Sequence, residues 1–181
     1  MSIVLVSDVF GITPALLKLK DELTASVIID PYQGNIMDFK DESEAYAYFV
    51  EHIGLDHYGS ILMNALEKLD PNITLIGFSV GASAIWQLSS RSTDFITQAI
   101  CFYGSQIRNA THIEPFFKID LFFPKSESHF DVDTLINKLT TKPNTNVTQV
   151  DYLHGFMNYH SVNFNQAGYD KYVRVLNDLA N

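Results

Sequence analysis

One cysteine, Cys101, stands in 181 residues, so no disulfide can form within the chain and stability must come from an apolar core. Its setting, Ala99-Ile100-Cys101-Phe102-Tyr103, predicts a buried strand position. Basic residues are scarce as well: 12 Lys and Arg stand against 21 Asp and Glu, a formal net charge of −9. A surface of that sign disfavours binding to nucleic acid or to anionic membrane, and neither is expected as a partner. No apolar run approaches the roughly 20 residues that a bilayer-spanning helix needs. The N-terminal run Ile3-Val4-Leu5-Val6 is cut off by Ser7, Asp8 and Gly11 and lacks the features of a secretory signal, so a cytoplasmic location is expected. Linkers rich in Pro, Gly or Ser, low-complexity tracts and internal repeats are also missing, which predicts one domain over residues 1–181.

What is present is a repeated alternation. Apolar runs of strand length fall at residues 3–6, 26–29, 73–78, 98–103, 119–123 and 147–153. Between them lie intervals long enough for helices. Thr13-Pro14 supplies an N-cap and a first-turn proline for one of these; residues 41–52, 60–69, 80–88, 132–139 and 169–179 carry apolar residues at helical spacing. Strands alternating with helices imply parallel crossovers, with helices covering both faces of the sheet. The predicted fold is a three-layer α/β/α sandwich with a mostly parallel sheet.

The densest signal is Leu75-Ile76-Gly77-Phe78-Ser79-Val80-Gly81-Ala82-Ser83-Ala84, a strand-like run entering G-x-S-x-G and leaving as a helix. By composition alone G-x-S-x-G arises in about one chain in fifteen of this length, so its context carries the argument. Strand, tight turn and small-residue helix come in the order of a nucleophile elbow, where the two glycines make room for the turn. Such a turn lifts the Ser79 hydroxyl above the sheet edge, and the helix start directs N–H groups at an oxyanion. The chemistry indicated is acyl transfer from a substrate to Ser79.

Serine needs a base, and the base needs an orienting acid. Parallel α/β sheets bind ligands beyond the carboxyl ends of their strands, so polar residues after each strand are the candidates. Of the histidines after Ser79, His154 follows an apolar run and precedes Gly155, and is the expected base. His160 lies in a polar stretch further on; His112 and His129 precede or occupy the region expected to hold the acid. Within Lys125-Ser126-Glu127-Ser128-His129-Phe130-Asp131, Glu127 is the expected acid and Asp131 the alternative.

Taken together, Asp8-Val9-Phe10-Gly11, Asp30-Pro31-Tyr32, the Ser79 elbow, Phe102-Tyr103-Gly104 and His154-Gly155-Phe156 resemble the dienelactone hydrolase family of α/β hydrolases, over residues 3–180. The resemblance implies a compact α/β-hydrolase fold. It also implies Ser79 as nucleophile, where the type enzyme has cysteine, His154 as base, and the backbone N–H groups of Val9 and Val80 as the oxyanion hole. Asp8 matches an acidic residue that approaches the nucleophile in the family. Two positions depart from the pattern. Ser128 stands where the triad aspartate belongs, and Gly34 and Asn158 stand where arginines hold the dienelactone carboxylate, so dienelactone itself is not the expected substrate.

The expected function is therefore hydrolysis of a small ester, thioester or lactone through an acyl-Ser79 intermediate, with no metal or organic cofactor. Asp8, Phe10, Tyr32, Tyr103 and Phe156 are the expected substrate contacts. The alternative is a degenerate hydrolase fold that binds a partner without catalysis, motivated by Ser128 and the short chain. Oligomeric state and natural substrate are not specified by the sequence.

Overall fold

The structure, a computed structural model, describes residues 2–180. Among the described residues six strands form one sheet: β1 (Ser2–Val6), β2 (Val27–Ile29), β3 (Ile73–Phe78), β4 (Ile96–Phe102), β5 (Lys118–Phe123) and β6 (Thr145–Gln149). Their order is β2-β1-β3-β4-β5-β6 and every neighbouring pair is parallel. Six α-helices connect and cover them: α1 (Pro14–Glu22), α2 (Glu42–His52), α3 (Gly54–Leu66), α4 (Val80–Leu88), α5 (Val132–Leu139) and α6 (Gln166–Ala180).

Strand side chains alternate between the two faces, and each face has its own core. Val4, Val6, Leu75, Cys101 and Leu121 pack with residues of α2, α3, α4 and α5. Leu5, Ile76, Phe78, Ile100 and Phe102 pack with Leu19 of α1 and with Tyr169, Tyr172 and Leu176 of α6. This is the three-layer sandwich expected from the alternation of runs. Cys101 is buried within it, and burial pushes its thiol pKa up.

The elements follow from local chemistry. The Thr13 hydroxyl accepts the Leu16 N–H and caps α1 ahead of Pro14, and the Asp41 carboxylate accepts the Glu44 N–H to cap α2. The central strand β3 is buried along its whole length, which is why it reads as an unbroken apolar run. Two boundaries differ from expectation. α3 starts at Gly54 without a side-chain cap, well before residue 60. β6 covers Thr145–Gln149 rather than residues 147–153, because it is a largely exposed edge strand whose polar residues hide it, whereas Val150-Asp151-Tyr152-Leu153 lies beyond it. His154 therefore does not follow directly on a strand. It stays at the sheet's carboxyl end because the backbone continues alongside the β5 exit: Val150 N–H donates to Phe123 C=O at 2.8 Å, and Lys125 N–H donates to Tyr152 C=O at 2.9 Å.

The chain leaves β1 toward β2 on one side and returns to β3 on the other. The loops after β1 and β3 consequently diverge, and a crevice opens between them at the carboxyl ends. Asp8, Val9 and Ser79 lie there.

Candidate active site

Ser79 sits between β3 and α4 at φ +51° and ψ −113°, a backbone conformation that non-glycine residues rarely adopt. The glycines on either side make the turn possible. A Cβ on Gly77 would lie 2.9 Å from Ala82 N, and one on Gly81 would lie 2.5 Å from Val6 C=O, so α4 packs against both β3 and the end of β1 at backbone distance. Ser79 N–H donates to Phe102 C=O at 3.0 Å, which ties the turn to β4.

A hydrogen-bonded row starts at that serine. Ser79 Oγ lies 3.1 Å from His154 Nε2, and His154 Nδ1 lies 2.7 Å from Glu127 Oε1. The carboxylate can only accept, so it fixes the proton on Nδ1 and leaves the Nε2 lone pair facing the hydroxyl. The His154 and Glu127 side chains are 18% and 11% exposed, which shields the pair from solvent screening. Asn163 Nδ2 donates to His154 C=O at 3.0 Å and steadies the histidine loop. Nothing in the sequence pattern singled out Asn163.

The alternative acids and bases are engaged elsewhere or exposed. Asp131 caps α5, accepting the Thr134 N–H at 2.6 Å, and that interaction holds its carboxyl below the usual range. Ser128 is exposed beside Glu127. The His160 ring packs against Phe10, with centroids 5.6 Å apart, and His112 lines a separate cleft beside α3 and α4. His129 lines the cleft over Ser79 but is exposed.

Val80 opens α4, so its N–H has no partner within the helix, and Val9 leads the loop after β1. Among the described residues neither N–H is taken by another acceptor. Tyr32 braces the Val9 loop from behind, its hydroxyl donating to Val9 C=O at 2.7 Å. This corrects its expected contact with substrate: the Tyr32 side chain is buried away from the cleft because that carbonyl and Phe39 and Tyr48 enclose it. Phe156 is corrected likewise. It is fully buried among Phe102, Tyr152 and Tyr172 in the core under the histidine loop.

Asp8, Phe10 and Tyr103 do border the space beside Ser79. Asp8 Oδ1 accepts the Phe10 N–H at 3.0 Å and Oδ2 accepts from Asn158 Nδ2 at 2.5 Å. Burial pushes the Asp8 carboxyl up to about 6; the Phe10 and Asn158 hydrogen bonds and His154 pull it down, while Glu42 adds to the rise. Tyr103 lies against His154, ring centroids 4.9 Å apart, with its buried hydroxyl lacking a well-formed hydrogen bond. On the solvent side a cleft of about 370 Å³ opens over Ser79 and His154, lined also by Glu42, Tyr46, Arg108 and Phe130. Among the described residues no group of three or more His, Cys, Asp and Glu is arranged to hold a metal ion, and no helix is long and apolar enough to cross a membrane.

A serine hydroxyl, an imidazole held by a carboxylate, and two N–H groups with no other acceptor among the described residues thus meet at one strand end. The sequence matches no model of a known protein family. It is, however, 33% identical over 189 residues to the uncharacterized protein YczH of Bacillus subtilis (strain 168), covering 98% of this chain and 91% of that one. The chain belongs to the YczH family. Its fold is shared with the dienelactone hydrolase-like promiscuous phosphotriesterase P91 from metagenomic libraries, at a TM-score of 0.70 and 13% identity, covering 99% of this chain and 84% of that one. It is shared also with a dienelactone hydrolase from Anabaena variabilis, at a TM-score of 0.64 and 13% identity, covering 98% and 84%. This chain thus has the α/β-hydrolase fold of the dienelactone hydrolase-like proteins.

Proposed function

We propose that the chain is a serine hydrolase that cleaves a small ester, thioester or lactone. The observation that carries this reading is the Glu127–His154–Ser79 row, with contacts of 2.7 and 3.1 Å, at a turn that holds Ser79 at φ +51°. Ser79 Oγ attacks the acyl carbon while His154 Nε2 takes its proton. The carbonyl oxygen becomes an oxyanion facing the Val9 and Val80 N–H groups. His154 then gives the proton to the leaving oxygen or sulfur as its bond to the acyl carbon breaks. Water, deprotonated by His154, releases the acid and restores Ser79. Glu127 orients the ring and stabilises the imidazolium formed in each half-reaction.

A fluorophosphonate probe followed by mass mapping tests the reading, because covalent labelling needs an activated hydroxyl. Label on Ser79, lost in Ser79→Ala along with turnover of a p-nitrophenyl ester, is the expected result. A folded protein that takes no label would instead mark a degenerate hydrolase fold that only binds.

A further inference from the structure

Two spaces of unequal size touch Ser79 and His154. One is the open cleft of about 370 Å³. The other is a much smaller, narrower recess of about 10 Å³ that shares Val9 and Glu42 with the cleft and is backed by Phe10, Tyr103, Asp8 and Asn158. A volume of that order holds one water-sized group and no more. Behind it, beyond Asp8, Tyr103 and Asn158, which border both, lies a second small cavity of about 20 Å³ lined by Leu16, Leu19, Phe78 and Met157. The Asp8–Asn158 hydrogen bond closes the partition between them.

The order of bond breaking assigns the two spaces. The leaving group must depart, and water must arrive, while the acyl group stays bonded to Ser79. Of the two spaces only the cleft has room for both. The side group of the acyl carbon is therefore left with the smaller recess. Resting on the serine hydrolase reading above, we infer that the substrates are acetyl esters or thioesters: the acyl methyl occupies the recess beside Tyr103, and a much larger alcohol or thiol lies in the cleft. The Asp8–Asn158 partition is the specificity-determining wall, and behind it the apolar Leu16, Leu19 and Met157 would accept a longer chain once it is opened.

The test is kcat/KM for p-nitrophenyl acetate, butyrate and octanoate, which share one leaving group, in the wild type and in Asn158→Ser and Asn158→Ala. The wild type is expected to favour acetate over butyrate by on the order of tenfold or more and to lose nearly all activity on octanoate, as overpacking a rigid pocket dictates. Shortening Asn158 is expected to raise the butyrate-to-acetate ratio about fivefold or more. Equal use of butyrate and acetate by the wild type overturns the inference, as does a ratio that neither folded Asn158 variant moves. Should both variants fail to fold, the wild-type chain-length profile decides alone. Fluorophosphonate labelling of Ser79 without turnover of the acetate also overturns it. Absence of both labelling and turnover instead removes the serine hydrolase reading on which it rests.

Discussion

At the scale of single residues, reach decides which carboxylate meets His154. Glu127 has one methylene more than aspartate, and from the β5 exit loop it meets His154 Nδ1 at 2.7 Å while its neighbour Ser128 stays exposed. Asp131 is held at the start of α5 by the Thr134 N–H. Glu127→Gln is therefore expected to lower kcat by on the order of 10³ or more, since an amide permits the wrong imidazole tautomer and cannot offset the imidazolium charge. Asp131→Asn should change kcat less than threefold or so, because an asparagine still caps the helix. Steady-state rates on p-nitrophenyl acetate give the ranking, and a reversed ranking would move the acid to Asp131. Asp8 offers a second prediction, on stability. Its carboxyl is raised from 3.8 to about 6 by burial, so the native state binds its proton more tightly than the unfolded chain does. Between those values the native state carries more protons, and stability falls as pH rises through the window and stays lower above it. About two pH units correspond to on the order of 3 kcal/mol. Asp8→Asn should then gain relative to wild type at pH about 7.5 and show its least advantage near pH 4, read as Tm across the range. A gain independent of pH would deny the raised carboxyl.

At the scale of elements, the packing of α4 on the sheet is set by glycine. A Cβ on Gly81 would meet backbone atoms of Val6 at 2.5 and 2.9 Å, and backbone cannot turn aside as a side chain can. Gly81→Ala is expected to cost about 3 kcal/mol by denaturant unfolding and to reduce Ser79 labelling, because α4 must retreat from β1 and carry Val80 with it. A loss below about 0.5 kcal/mol would mean the helix start is free to shift. The same closeness explains what could be read from the chain beforehand. The β3–turn–α4 unit is legible since its demands are local: β3 is buried on both faces, the turn needs Gly77 and Gly81, and the helix needs small residues. β6 is hard to read because an edge strand with Thr145, Asn146, Thr148 and Gln149 shows no apolar pattern, while the loop after it contains Val150, Tyr152 and Leu153. Positions that depend on contacts between distant loops were illegible. Tyr32 and Phe156 follow strand ends and read as pocket aromatics, yet one braces the Val9 carbonyl and the other fills the core under α6. Asn163, whose amide ties to the His154 carbonyl, stands in no pattern at all, and Asn158 is marked only as a departure from an arginine, with nothing in the chain to show its bond to Asp8.

At the scale of the whole molecule, neighbouring strands of the all-parallel sheet are joined by long connections, and β1 pairs with β3 across residues 7–72. The bond between Asp8 and Asn158 joins positions 150 apart in the sequence, and that between Glu22 and Tyr169 spans 147. The wall beside Ser79 is thus built from opposite ends of the chain. Loops of that length close late, since their entropy is lost before distant contacts repay it. A nascent chain still emerging during synthesis can complete the Ser79 turn but has neither His154 nor the Asn158 side of the wall, so the Ser79–His154 pair does not exist until those later residues have docked. Refolding from denaturant should reflect this as a delay: helical circular dichroism returning first, Ser79 labelling recovering later, on the timescale at which α6 becomes protected from hydrogen exchange. Coincident recovery of all three signals would make assembly of the wall part of the first collapse rather than its last step.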